Sequence, residues 1–182
     1  MNITIVGATG NVGRKIIEVL EKKNFPADNL YLVASSKSAG SKLRFKEKEI
    51  EVENLETFDF SKGKITFFSA GGKISEKYAA KAAEHSTVID NSSYFRMDPD
   101  VPLIVPEVNS HDLKNYKKKN IIANANCSVI PLVVALKPLH DLYSIKRIVA
   151  STYQSVSGAG KAPMDELLSQ TKDFFENKNL SS

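Results

Sequence analysis

The chain has 182 residues, 42% hydrophobic and 25% charged, with 9 Gly and 7 Pro, the composition of one globular domain or of one and a part. Its formal charge of +4, from 25 Lys+Arg against 21 Asp+Glu, is spread along the chain and leaves no basic footprint for nucleic acid. One cysteine, Cys127, excludes an internal disulfide framework and any multi-cysteine metal site, and no apolar run approaches the ~20 residues that cross a bilayer.

The start, Met1-Asn2-Ile3-Thr4-Ile5-Val6, reads as a β-branched strand with no basic leader or cleavage site, so a soluble, unexported, cytoplasmic protein is expected. Gly7-Ala8-Thr9-Gly10-Asn11-Val12-Gly13 follows as a Gly-rich turn, and Val12, Ile16, Val19 and Leu20 then recur at helical spacing. Leu30 to Ala34 is a second buried strand, Ile50 to Val52 an edge-like alternating piece, and Ile65 to Phe68 a third buried run. The Ala-rich stretch Ile74 to Ala83 predicts a helix. Strand Thr87 to Ile89, the apolar Val101 to Val105, a short polar helix at His111 to Tyr116 and strand Ile121 to Ala123 come next. Strand and helix alternate throughout, which predicts an α/β, Rossmann-type, doubly wound parallel sheet over residues 1–127. The pattern then changes: Ser128 to Leu142 predicts a long apolar helix, Ile145 to Val156 an alternating strand, and Met164 to Phe175 another helix. A second domain of α+β type is therefore expected over residues 128–182. One strand and one helix are too little to bury a core, so the chain is expected to be part of a longer one.

The Gly7 turn sits between strand and helix, where a pyrophosphate can approach the backbone and the helix N-terminus can stabilise it. Its spacing departs from G-x-G-x-x-G because Ala8 stands among the glycines. An NAD site usually has an acid at the end of the second strand, for the ribose 2′-hydroxyl. Here that strand runs into Ser35-Ser36-Lys37-Ser38, whose hydroxyls and cation suit a 2′-phosphate and favour NADP. Ser69-Ala70-Gly71-Gly72 and Asn91-Ser92-Ser93 also fall at strand carboxyl ends, as ligand loops or as simple turns. Arg96 lies just beyond the latter, and its planar fork suits a phosphate or carboxylate. Cys127 lies between a strand and the first turn of an apolar helix, where helix amides favour a thiolate; an inert buried thiol is the alternative. Asn126 beside it can donate to a developing oxyanion. Gln154, before a second Gly-rich turn, is a neutral amide able to orient a substrate. His85, His111 and His140 have no catalytic spacing and read as ordinary.

Gly7 to Gly13, Ser36-Lys37-Ser38-Ala39-Gly40, Asn91-Ser92-Ser93-Tyr94-Phe95-Arg96, Val105-Pro106-Glu107-Val108-Asn109, Asn126-Cys127-Ser128 and Gln154 to Gly160 together resemble the aspartate-semialdehyde dehydrogenase family, in order and spacing and over the whole chain. The resemblance implies that Cys127 is the nucleophile, that Asn126 and Gln154 complete the catalytic group with Gln154 orienting the substrate, and that Arg96 and Asn126 hold the substrate phosphate. It implies an NADP site built from Gly7, Thr9, Gly10, Asn11, Val12, Ser36, Lys37, Ser38, Ala70, Gly71, Ser157 and Gly158. It further implies a small-molecule substrate, a homodimer and no metal. The second domain would be the beginning of a catalytic and dimerisation domain. The reaction would be NADP-dependent reductive dephosphorylation of 4-phospho-L-aspartate to L-aspartate 4-semialdehyde through a cysteine thioester, on the route to lysine, threonine, methionine and diaminopimelate. Lys37 stands where many members carry Arg, and Ala125 where relatives often carry Pro. The family's general-base histidine and second substrate arginine have no counterpart in residues 1–182. N-acetyl-gamma-glutamyl-phosphate reductase shares the cysteine logic and cofactor but fits less well after Cys127. A non-catalytic NADP-binding module is the reading from another class. Lys117-Lys118-Lys119, without interleaved aromatics, reads as a solvated face.

Overall fold

The computed structural model describes residues 1–176 and residue 178. They divide into two compact units, Met1–Arg147 and Ile148–Ser182. The first is built on strand β1 (Asn2–Val6), whose β-branched residues are pressed between neighbours on both sides: Ile3, Thr4, Ile5 and Val6 are all fully buried. Around it lie β2 (Asn29–Ala34), β3 (Lys42–Phe45), β4 (Lys48–Asn54), β5 (Ile65–Phe68), β6 (Thr87–Asp90), β7 (Leu103–Ile104) and β8 (Ile121–Asn124). They form one sheet in the order β3-β4-β2-β1-β5-β6-β8-β7. Every pairing is parallel except β3 with β4. This is the expected doubly wound α/β sheet, with one addition. Residues 50–52 belong to β4, which is covered on its outer side by β3, a strand the sequence reading missed because Lys-Leu-Arg-Phe is short and half charged.

Successive side chains of a strand point to opposite faces, so each face needs its own cover. One core joins Ile3, Ile5, Leu32 and Leu43 to Ile17 and Leu20 of helix α1 (Asn11–Lys22). The other joins Val6, Phe68 and Val88 to Ala79, Ala82 and Ala83 of helix α2 (Gly72–Ala83), whose small side chains let the helix lie close to the sheet. Phe58, Phe60 and Phe68 extend this second core, Phe58 meeting Phe60 edge-on at 5.2 Å between ring centroids.

Helix α3 (Pro106–Asn109) and a 3₁₀ segment, Ser110–Lys118, stand where a polar helix at 111–116 was expected. Asn109 fixes this corner: its Oδ1 accepts from Val105 N at 2.9 Å and its Nδ2 donates to Leu103 O at 2.9 Å. Helix α4 (Val129–Tyr143) then closes the first unit with no residue buried, although it is apolar for most of its length.

The expected strand at 145–156 does not form; residues 144–155 carry no regular secondary structure. Alternation supplies a strand's two faces, but its backbone N–H and C=O groups need a neighbouring strand. No strand of the described residues pairs there. The second unit consists of a 3₁₀ turn, Val156–Ala159, leading into helix α5 (Lys161–Phe175), again without a buried residue.

Candidate active site

The sheet order reverses at β1: the chain goes outward through β2 and β4, then returns to the other side of β1 at β5. The carboxyl ends of β1 and β5 therefore flank a topological switch point, the place where open α/β sheets take their ligands. Val6 feeds Gly7 there, at φ +83°, and Gly7 N donates to Val33 O of β2 at 2.8 Å while Gly10 N donates back to Gly7 O at 3.0 Å. Gly13, in the first turn of α1, packs so tightly that an added Cβ would lie 2.2 Å from Gly7 O. A Cβ on Gly7 would lie 2.8 Å from the backbone of Ser69, at the end of β5. The absence of both side chains makes a cradle of bare backbone at the helix N-terminus, a shape that suits a pyrophosphate. Arg14 braces it from behind, its Nε donating to Thr9 O at 3.0 Å. The sequence reading passed over Arg14.

Thr9, half-buried, reaches the loop after β2, where Thr9 Oγ1 lies 3.4 Å from Ser38 Oγ. That loop is a tight turn in which Ser38 N donates to Ser35 O at 2.9 Å, and Ser36 and Lys37 are exposed on it. Ala70 and Gly71 follow β5 and lead into α2, and both are exposed. The first unit thus gathers Gly7, Thr9, Gly10, Asn11 and Val12, the Ser36–Ser38 turn, and Ala70–Gly71 at the carboxyl edge of β1, β2 and β5. No acidic side chain stands in the turn after β2.

Two strands further on, the ends of β6 and β8 are tied together by side chains. Asn124 Nδ2 donates to Asn91 Oδ1 at 2.5 Å. Arg96 Nε donates to Asn124 O at 3.0 Å and its Nη2 to Asn91 O at 3.1 Å. Arg96 is therefore a clamp between two strand ends as well as a cation, and three of its five N–H donors remain outside these two bonds. Asp98, two residues on, is ion-paired with Lys119 at 2.7 Å, and that hydrogen bond, followed by one from Asp100 N, holds its carboxyl below the usual range.

β8 runs through Asn124 into Ala125, Asn126 and Cys127. Asn126 Oδ1 accepts from Ser128 N at 2.9 Å and Asn126 O accepts from Val129 N and Ile130 N at 3.0 Å, so Asn126 satisfies three of the amides that open α4. Cys127 is exposed, not packed inside as a structural thiol would be. Asn126, Cys127 and Arg96 are thus brought to one end of β8 by the Asn91–Asn124–Arg96 clamp.

Gln154, Ser157 and Gly158 lie in the second unit. There Gln154 folds over its own turn, its Nε2 occupying the space 1.7 Å from where a Cβ on Gly158 would stand. Ser155 caps that turn, its Oγ lying 3.4 Å from Ser157 N and 3.1 Å from Ser157 Oγ. No group of three His, Cys, Asp or Glu side chains among the described residues could hold a metal ion, and no helix among them is long and apolar enough to cross a membrane.

Comparison with known proteins also divides the chain in two, at a different place from the two compact units. Residues 2–116 match the family model of the semialdehyde dehydrogenase NAD-binding domain, and residues 136–182 match that of the semialdehyde dehydrogenase dimerisation domain. The aspartate-semialdehyde dehydrogenase of Aquifex aeolicus is 55% identical over 180 residues, 98% of this chain and 53% of that protein. The crystal structure of aspartate semialdehyde dehydrogenase II of Vibrio cholerae, complexed with ASA, superposes with a TM-score of 0.95 at 49% identity, over 100% of this chain and 54% of that one. The Candida albicans aspartate semialdehyde dehydrogenase, a structure with NADP, gives 0.62 at 28% identity over 80% of this chain and 48% of that one. The chain spans about half the length of the relatives it matches. The fold is accordingly a Rossmann-type domain for a nicotinamide dinucleotide, followed by the beginning of a dimerisation domain. By these matches the chain belongs to the semialdehyde dehydrogenase family.

Proposed function

We propose that this chain carries the dinucleotide site and the nucleophile of an NADP-dependent, phosphorylating aspartate-semialdehyde dehydrogenase. The observation that carries the reading is the exposed Cys127 at the carboxyl end of β8, bound through Asn124 to Arg96. Arg96 is thereby tied to the strand end that leads, three residues on, to an accessible sulfur. In the biosynthetic direction the Cys127 sulfur attacks the acyl carbon of 4-phospho-L-aspartate. A C–S bond forms, the C–O bond to phosphate breaks, and phosphate leaves. Arg96 and Asn126 hold that phosphate: Arg96 through its remaining guanidinium donors, Asn126 through the Nδ2 opposite the oxygen engaged by Ser128. Division of the displacement into two steps through a thioester lowers the barrier of each. When bound, the dinucleotide supplies the hydride that reduces the thioester. The C–S bond then breaks, releasing L-aspartate 4-semialdehyde and restoring Cys127. Gln154 orients the substrate.

The Gly7–Val12 turn would hold the pyrophosphate of the dinucleotide, with Ala70 and Gly71 as further backbone contacts. Ser36, Lys37 and Ser38 would meet its 2′-phosphate. NADP is favoured over NAD because the turn after β2 offers Lys37 and hydroxyls in place of a carboxylate. The Candida structure with NADP supports the same choice. Catalysis of this kind serves the biosynthesis of lysine, threonine, methionine and diaminopimelate, in the cytoplasm. A homodimer is the working form: the dimerisation model matches residues 136–182, where Leu142 is 74% and Phe175 77% exposed. The catalytic and dimerisation domain begins after Cys127.

The test is turnover of the full-length protein with L-aspartate 4-semialdehyde. NADP reduction that requires inorganic phosphate is expected. Reduction that is indifferent to phosphate, or that prefers NAD, overturns the proposal.

A further inference from the structure

Asp90 closes β6 inside the core, fully buried. Both of its carboxyl oxygens are engaged. Ser75 Oγ donates to Oδ1 at 2.6 Å, Ser92 N donates to Oδ1 at 3.1 Å, and Ser92 Oγ donates to Oδ2 at 2.7 Å. All three donors are neutral. A carboxyl group in such a place is costly unless its lone pairs are met, so the donors cannot drift without penalty.

The donors come from two elements that the proposed reaction uses for different purposes. Ser75 sits in the first turn of α2, and its amide donates to Gly71 O at 3.2 Å, so it belongs to the turn assigned to the dinucleotide. Ser92 opens the segment that runs to Arg96, and its Oγ also accepts from Tyr94 N at 3.1 Å, relaying the constraint one residue pair further along. Asn91, between Asp90 and Ser92, carries the side chain that holds Asn124, and through it the strand leading to Cys127. One side chain is therefore bonded both to the turn that opens α2 and to the segment that leads to Arg96.

We infer that Asp90 is a positioning residue whose buried carboxyl sets the Ala70–Gly71 turn through Ser75 and the Asn91–Arg96 segment through Ser92, serving dinucleotide and phosphate binding by separate arms. The inference rests on the function proposed above. It also accounts for an acid at the end of a buried strand, where surface turn chemistry alone needs none.

Three substitutions separate the two arms. In Asp90→Asn the oxygen facing Ser75 and Ser92 N can remain, while the oxygen that accepted from Ser92 Oγ becomes an N–H donor, so Ser92 Oγ must turn from donor to acceptor while it still accepts from Tyr94 N, and this near-isosteric change perturbs the Ser92 arm. Ser92→Ala breaks the same arm from the other side. Ser75→Ala breaks only the α2 arm. Steady-state KM and kcat are measured for phosphate and for NADP in the full-length protein, with thermal midpoints alongside. A misplacement near 1 Å can cost up to ~10²-fold in rate, so Asp90→Asn and Ser92→Ala are expected to raise the phosphate KM by about tenfold or more, with NADP KM within about twofold. Ser75→Ala is expected to do the reverse. A merely structural role lowers the thermal midpoint and leaves both KM values in place, and that result overturns the inference; so does an equal shift of both KM values in all three variants. If Asp90→Asn fails to fold, the two serine variants carry the comparison. Absence of phosphate-dependent turnover in the unaltered protein overturns the proposed reaction itself, and the inference with it. Loss of turnover in Cys127→Ser, without the KM split in the three variants, retains the reaction and removes the role of Asp90.

Discussion

The turn at Gly7 and the turn at Gly158 are both rich in glycine and both precede a helix, yet they are held by different means. Gly7 emerges from a strand buried on both faces, bonds to Val33 of the neighbouring strand, and is wedged against Gly13 and Ser69. The turn at Gly158 is held from within, by Ser155, by Ser157 and by the fold-back of Gln154, and the helix after it buries nothing. Local turn chemistry makes the bend in both. A core behind the bend is what turns it into a fixed cradle, because the stability of a segment follows the apolar contacts and protected hydrogen bonds that back it.

The contrast can be broken most forcefully in the core. Phe68, fully buried at the end of β5, is expected to cost about 3–5 kcal/mol when changed to Ala, whereas Phe175→Ala, on an exposed helix end, should stay within about 0.5 kcal/mol in the monomer. Chemical denaturation of the two variants measures the difference; equal losses would mean that α5 is packed as firmly as the sheet. Next in size is Gly13→Ala. Its methyl group would meet backbone, not a movable side chain, so a loss of about 1–3 kcal/mol and a sharp fall in dinucleotide affinity are expected by unfolding and by fluorescence titration. Unchanged affinity would remove the Gly7 cradle from the site.

A smaller effect sharpens the ligand side of the comparison. Lys37→Glu places an acid on the exposed turn after β2 and should weaken NADPH by about tenfold while leaving NADH within twofold, since a like charge meets only the 2′-phosphate. Equal weakening of both would deny Lys37 that role. The smallest effect lies on the outer face of α1, where ion pairs with Lys15, first, and then Lys22 lower the Glu18 carboxyl from 4.5 to about 2. A folded-state value below the unfolded one contributes stability above the ordinary carboxylate range, and that contribution fades as pH falls toward about 2. Glu18→Gln should therefore lower the thermal midpoint slightly at neutral pH and low salt, and not at all near pH 2 or in high salt.

Much of this was legible before any coordinates. The run Ile3-Thr4-Ile5-Val6, the glycines after it and the helical spacing of Ile16, Val19 and Leu20 state a strand, a turn and a helix in local terms, and local terms sufficed. Cys127 could be placed at a helix start for the same reason. Residues 145–156 show where that reading ends: their alternation describes two faces of a strand and says nothing of a partner. The role of Asp90 was hidden differently. Thr87-Val88-Ile89-Asp90 ends as many strands do, with a polar residue, and only the approach of Ser75 from a helix 15 residues earlier shows that the acid is enclosed. The clamp of Arg96 on Asn91 and Asn124 was equally out of reach, since the residues it joins are separated by up to 33 positions.

The most direct measurement of the central claim compares the full-length protein with its Cys127→Ser variant, following phosphate-dependent NADP reduction by L-aspartate 4-semialdehyde and NADPH binding on the same samples. If the exposed sulfur at the end of β8 forms the covalent intermediate, turnover falls by more than about 10³-fold, as loss of a nucleophile typically does, while the NADPH Kd stays within twofold because the cradle at Gly7 is untouched. Turnover that survives the substitution within tenfold would contradict the account and return Cys127 to the status of a surface thiol.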